Sequence, residues 1–200
     1  RPVNDHQGRL NERPKVQGTS KMSGDDSSKI GVPEVGKQLV ISTSGTGDLL
    51  TMLPEDAFNN LLLISVRHPR IVQRKIENIG ASPETIGIIP VNGSDIEYDG
   101  KCWCARRVSP SDLTGIDIES ERGLRHVNPG GWMAVDNITT LLMYGNEDAV
   151  YHLCQSLLNR ARDADATGVY AMSRRAVGDE TFARFQGLFD GVVTVSSNSR

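Results

Sequence analysis

Short runs of apolar residues, each closed by turn-forming residues, punctuate the chain from residue 37 onward. "KQLVIS" (37–42) and "NLLLISV" (60–66) have no polar alternation, the pattern of strands buried on both faces. "GWMAVD" (131–136), "TGVYAMS" (167–173) and "GVVTVS" (191–196) read the same way, as do the less regular "TIGIIPV" (85–91) and "KCWCARRV" (101–108). Between them the period lengthens to that of a helix. "PRIVQRKIENIG" spaces Ile71, Lys75, Ile76 and Ile79 along one side and stops at Gly80, a residue suited to a helix C-terminus. "NEDAVYHLCQSLLNRARDA" sets Val150, Leu153, Cys154, Leu157, Leu158 and Ala161 on one face, with Asn146 as N-cap and Glu147 and Asp148 in the first turn. "DETFARFQGLFD" repeats the device with Phe182, Phe185, Leu188 and Phe189. "RRVSPSDLTGIDIE" reads as a Ser-Pro turn with Ser111 or Asp112 as a helix cap.

Strands alternating with helices predict an α/β domain: three layers, a mostly parallel central sheet and helices on both faces. The 200 residues, 38% of them hydrophobic, suffice for one such core. Residues 1–29 are polar and nearly free of large apolar groups, which predicts a disordered tail, a single domain over 30–197 and a short tail at 198–200.

Charge narrows the partners. A formal net charge of −3 gives no electrostatic reason to expect nucleic acid or an anionic membrane. No run has the length of a membrane span and no segment resembles a signal peptide, so a cytoplasmic protein is expected. Cys102, Cys104 and Cys154 lack the second close pair of a four-cysteine zinc site and read as buried or idle thiols. His6, His126 and His152 have no ligand-spaced partner. No metal is expected.

In parallel sheets of this kind ligands bind beyond the carboxyl ends of the strands. The first strand runs there into Ser42-Thr43-Ser44-Gly45-Thr46-Gly47-Asp48-Leu49, which aligns with the phosphate-binding pattern G-x-x-x-x-G-K-[ST]. Asp48 stands at the lysine position and Leu49 at the hydroxyl position.

With these stretches in order, the domain resembles the RecA-type core of the KaiC clock ATPases and RadA-like proteins, especially reduced archaeal forms of that core. "LVISTSGTGDLL" parallels the family's strand and G-T-S-G-T-G-K-[ST] loop. "NLLLISVRHPRIVQRKIENIG" parallels its strand, S-F-E-E segment and helix, with Ser65 kept and the two water-activating glutamates matched by Arg67 and His68. "GGWMAVDNITTLLMYG" parallels the Walker B strand and keeps its acid as Asp136, and "FDGVV" at 189–193 parallels the closing A-D-G-[IV]-[IV].

The resemblance implies a nucleotide site whose chemistry is gone. The lysine that meets the β- and γ-phosphates, the hydroxyl that binds Mg²⁺ and the acid that orients water are all replaced. Asp48 would repel each phosphate charge by about 4 kcal/mol at about 4 Å, for an effective dielectric of about 20. Asp136 would hold the Mg²⁺ shell in an intact site. Beside Leu49 the preferred reading is that it bonds turn N–H groups. Arg67, His68 and Arg70 would attract an anion or an acidic partner, and Asp48 offers Arg67 a counter-charge.

The expected protein is therefore a catalytically inactive RecA/KaiC-like domain, a regulatory or protein-interaction module that binds a protein partner or itself and carries no cofactor. One alternative is a nucleotide-binding protein or slow ATPase that holds ATP or ADP with Mg²⁺ in a rearranged site. The other is a DNA-associated accessory protein, for which "CWCARR" supplies basic and aromatic residues.

Overall fold

The computed structural model of the protein describes residues 29–43, 48–93 and 97–195. Of the two expected tails, 1–29 and 198–200, all but Lys29 lies outside the described residues, as do the last two residues, 196 and 197, of the expected domain. All seven apolar runs become strands: β1 (Gln38–Thr43), β2 (Leu61–Ser65), β3 (Ile86–Pro90), β4 (Trp103–Cys104), β5 (Trp132–Val135), β6 (Thr167–Met172) and β7 (Gly191–Val195). They form one sheet in the order β4-β3-β2-β5-β6-β1-β7, and every pairing is parallel. Parallel neighbours need crossover connections, which helices supply except between β3 and β4, where no helix is found among the described residues.

The described residues hold seven α-helices: α1 (Leu49–Met52), α2 (Pro69–Ile79), α3 (Leu113–Leu124), α4 (Ile138–Tyr144), α5 (Glu147–Asp163), α6 (Arg174–Val177) and α7 (Asp179–Gln186). The strands alternate their side chains between two cores. Leu62, Ile64, Tyr170 and Met172 pack with α3, α4, α5 and α7 on one face. Leu61, Leu63, Val169 and Ala171 pack with α1, α2 and Ile30 on the other. The expected three layers are present.

Several boundaries differ from the sequence expectation, each for a local reason. β4 is much shorter than 101–108: after the Ala105 N–H bonds to the Ile88 carbonyl the pairing lapses, and it resumes only as a bridge between Val108 and Val91. The stripe expected on α2 is rotated. Val72 and Ile76 are buried while Ile71 and Ile79 stay exposed, which leaves Lys75 at the margin of the buried face. Gly80 closes that helix at φ +85°, a left-handed conformation that favours glycine. α7 stops at Gln186, so Leu188 and Phe189 pack on the core from the chain beyond it.

α3 extends well past its cap, Asp112, whose side chain accepts from the Gly115 N–H at 2.8 Å. Gly123 near its end allows close approach to β2, since a Cβ there would lie 2.7 Å from a Leu62 methyl. α5 buries the six residues its periodicity selects, and Asn146 caps it by accepting from the Ala149 N–H at 2.8 Å.

Candidate functional site

Three chain segments meet beyond the carboxyl ends of the strands: the start of α1 after β1, the turn from β2 into α2, and the turn after β5. Ser42 and Thr43 end β1 as buried residues. The next four positions of the octet, Ser44, Gly45, Thr46 and Gly47, lie outside the described residues. The chain is described again at Asp48, the N-cap of α1, which accepts from the Leu50 N–H at a long 3.4 Å. Leu49 is not turned toward the site; it is buried with Leu50 in the core under α1.

Asp48 is the centre of an ion cluster. Arg67 donates to its Oδ1 at 2.6 Å, and the Lys75 ammonium donates to its Oδ2. One carboxylate thus serves two cations, one on each oxygen. Burial raises the Asp48 carboxyl, but the hydrogen bonds and charges of Lys75 and Arg67 outweigh it and hold the group below its ordinary value. The ion pair between Arg67 and Asp48 agrees with the counter-charge read from the sequence. Lys75 was absent from that reading.

A second hydrogen-bond group lies behind the first. Ser65 Oγ donates to Asp136 Oδ2, the Val66 N–H donates to Asp136 Oδ1 at 3.2 Å, and the Arg67 N–H donates to Ser65 Oγ at 3.1 Å. Burial raises the Asp136 carboxyl and the nearby Asp48 charge adds to this, only partly offset by Ser65, Val66 and Arg67. The acid was expected to bond its own turn. Instead it reaches across to the end of β2, and the neighbouring Asn137 caps α4 by accepting from the Thr140 N–H at 3.0 Å. The reason is register. Val135 pairs with Ile64, so Asp136 stands opposite Ser65.

The expected cationic trio does not gather at one point. His68 turns back to cap α2, its Nδ1 accepting from the Arg70 N–H at 3.1 Å. Arg70 pairs with the exposed Asp99 at 3.0 Å. Only Arg67 faces Asp48. The thiols sit apart from the site, and burial pushes Cys104 up to about 11 and Cys154 up to about 12.

Among the described residues the side chains at the magnesium-contacting positions are already engaged. The hydroxyl position is a buried leucine, both oxygens of Asp136 already accept hydrogen bonds, and both oxygens of Asp48 are paired with cations. Among the described residues no group of His, Cys, Asp and Glu is placed to hold a metal ion. No helix among them is long and apolar enough to cross a membrane.

The chain belongs to the family of unknown function DUF7504, which it matches over residues 37–195. No curated protein matches its sequence. Among solved structures it is similar to a KaiC-like protein, PH0186, from the hyperthermophilic archaeon Pyrococcus horikoshii OT3, at 10% identity and a TM-score of 0.56, covering 84% of this chain and 80% of that one. It is also similar to PH0250 of the same organism, at 13% identity and a TM-score of 0.52, covering 82% of this chain and 84% of that one. The fold is RecA-like and α/β.

Proposed function

We propose that this DUF7504 chain is a RecA/KaiC-like domain without ATPase activity, acting in the cytoplasm as a regulatory module that binds a protein partner or a second copy of itself. The observation that carries the reading is the occupation of the phosphate-lysine position by an acid already neutralised by two cations, Arg67 and Lys75. Phosphoryl transfer needs a cation, a metal ligand and a water-orienting acid placed around the γ-phosphate. Here Asp48 replaces the first and buried Leu49 the second, and Arg67 and His68 stand where the resemblance puts the third. What remains is a scaffold whose strand ends are tied by internal ion pairs.

Exposed apolar side chains support an interaction role. Met143 and Tyr144, at the end of α4, are 78% and 60% exposed, unusual for large apolar groups side by side.

Calorimetry with ATP and ADP, with and without Mg²⁺, tests the catalytic half, and no magnesium-dependent binding is expected. Tight magnesium-dependent binding or turnover would replace this reading with that of a slow ATPase. Sedimentation of the wild type beside Met143→Ser/Tyr144→Ser tests the other half, by a loss of self-association or of partner binding in the double variant.

A further inference from the structure

We propose that Arg67 and Lys75 form a binding site for a small multivalent oxyanion, a phosphate or diphosphate group, and that the Asp48 carboxylate masks this site by occupying it. The argument rests on charge and placement. Two full positive charges converge on one negative one, each on a different carboxylate oxygen, so the cluster keeps a positive excess after both pairs form. That is how a phosphate, with several acceptor oxygens, is held by an arginine and a lysine together.

Both cations reach solvent. The side chains of Arg67 and Lys75 are 32% and 35% exposed, whereas that of Asp48 is only 14% exposed. An anion from outside can therefore approach them without opening the core. The frame is fixed: Arg67 hangs from a backbone N–H held by Ser65, Ser65 is held by Asp136, and Lys75 projects from an 11-residue helix. Among the described residues the Asp48 carboxylate is held mainly by the two cations, since its bond from the Leu50 N–H is long at 3.4 Å, while its carbonyl keeps the residue in place by accepting from the Thr51 N–H at 3.0 Å. Its release removes little except the ion pairs that the incoming anion replaces.

The site differs from a magnesium-nucleotide site in needing neither a metal nor a base-binding pocket, so it stands whether or not the interaction role above is correct. Titration of inorganic pyrophosphate in the presence of a chelator tests it. Asp48→Asn keeps the shape of the side chain and uncovers both cations. It should bind pyrophosphate at least about tenfold more tightly than wild type, with the gain falling as salt rises. Adding Lys75→Gln to Asp48→Asn should abolish the gain. Equal affinity of Asp48→Asn and wild type, or a gain that survives Lys75→Gln, overturns the proposal.

If Asp48→Asn does not fold, the wild type carries the test through its thermal shift in pyrophosphate. That shift should vanish in Arg67→Gln and in Lys75→Gln, and its persistence in both overturns the site. ADP should bind Asp48→Asn no more tightly than pyrophosphate does. A requirement for adenosine or Mg²⁺ would overturn recognition of the phosphates alone.

Discussion

The cluster around Arg160 and the cluster around Asp48 use the same kinds of side chain in different proportion. Arg160 on α5 clamps Asp117 of α3 through two N–H groups at 3.0 and 2.9 Å and reaches Glu121 at 2.9 Å, while Arg125 takes the other Glu121 oxygen at 2.8 Å. Ser156 adds a hydrogen bond to Asp117 at 2.7 Å. There are two acids and two bases. Asp48, in contrast, is one acid between two bases. The central arginines are equally accessible, with Arg160 31% and Arg67 32% exposed. Exposure and pair distance therefore fail to separate them, and stoichiometry and position succeed. The balanced cluster cross-links two helices on the flank of the sheet. The unbalanced one lies beyond the strand ends with charge to spare.

Substitutions sharpen this contrast. The largest effect is expected from Asp48→Lys, which would place three cations together where a mostly buried acid now joins two. Thermal and denaturant unfolding should show a loss of about 3 kcal/mol. Adding Leu49→Thr should not restore magnesium-dependent ATP binding, because that side chain faces the core. Arg160→Met should cost less, about 1–2 kcal/mol, since Asp117 and Glu121 retain water. It should leave pyrophosphate binding unchanged, and a change there would dissolve the distinction between the clusters.

A smaller effect separates the two acids within the site. Asp136 holds its proton more tightly when folded, so its contribution to stability is complete below its ordinary value of 3.8 and is lost as pH rises through the raised folded value. Asp48 runs the other way. Its contribution is present above 3.8 and is lost as pH falls through its lowered folded value. Asp136→Asn should therefore remove the decline on the upper side, with a net change of about 1 kcal/mol near neutrality, while leaving the acid limb intact. A pH–stability profile of both proteins checks this. The smallest effect is expected from Lys75→Met, about 0.5 kcal/mol, because Arg67 still neutralises Asp48 and the alkyl stem still packs. Unfolding curves at low and high salt should converge for this variant and the wild type.

Much of the fold was legible in the sequence for a physical reason. A strand buried on both faces must be apolar throughout, so Leu61 to Ile64 or Val169 to Met172 advertise themselves. α5 did so because its polar face is solvated along its whole length. α3 was harder to read beyond Asp112, since Gly115 and Gly123 lower its helix propensity while serving close packing. In the site, Arg67 and Asp48 were readable because each follows a strand and must emerge at the same edge. Lys75 was not, because the two isoleucines on its helix that suggest a buried stripe, Ile71 and Ile79, are exposed. The bond from Asp136 to Ser65 depends on strand register, which periodicity does not contain.

The position of β1 has a consequence for synthesis. It lies between β6 and β7, pairing Val40 with Tyr170 on one side and with Val192 on the other. Among the described strands β1 thus leaves the ribosome well before either of its sheet partners, β6 and β7. Until then Val40 and Ile41, fully buried in the finished protein, must wait without their neighbours. An early β2–β3 pair can form in the meantime, but the half of the sheet that carries Asp48 is closed only once β6 and β7 have been made.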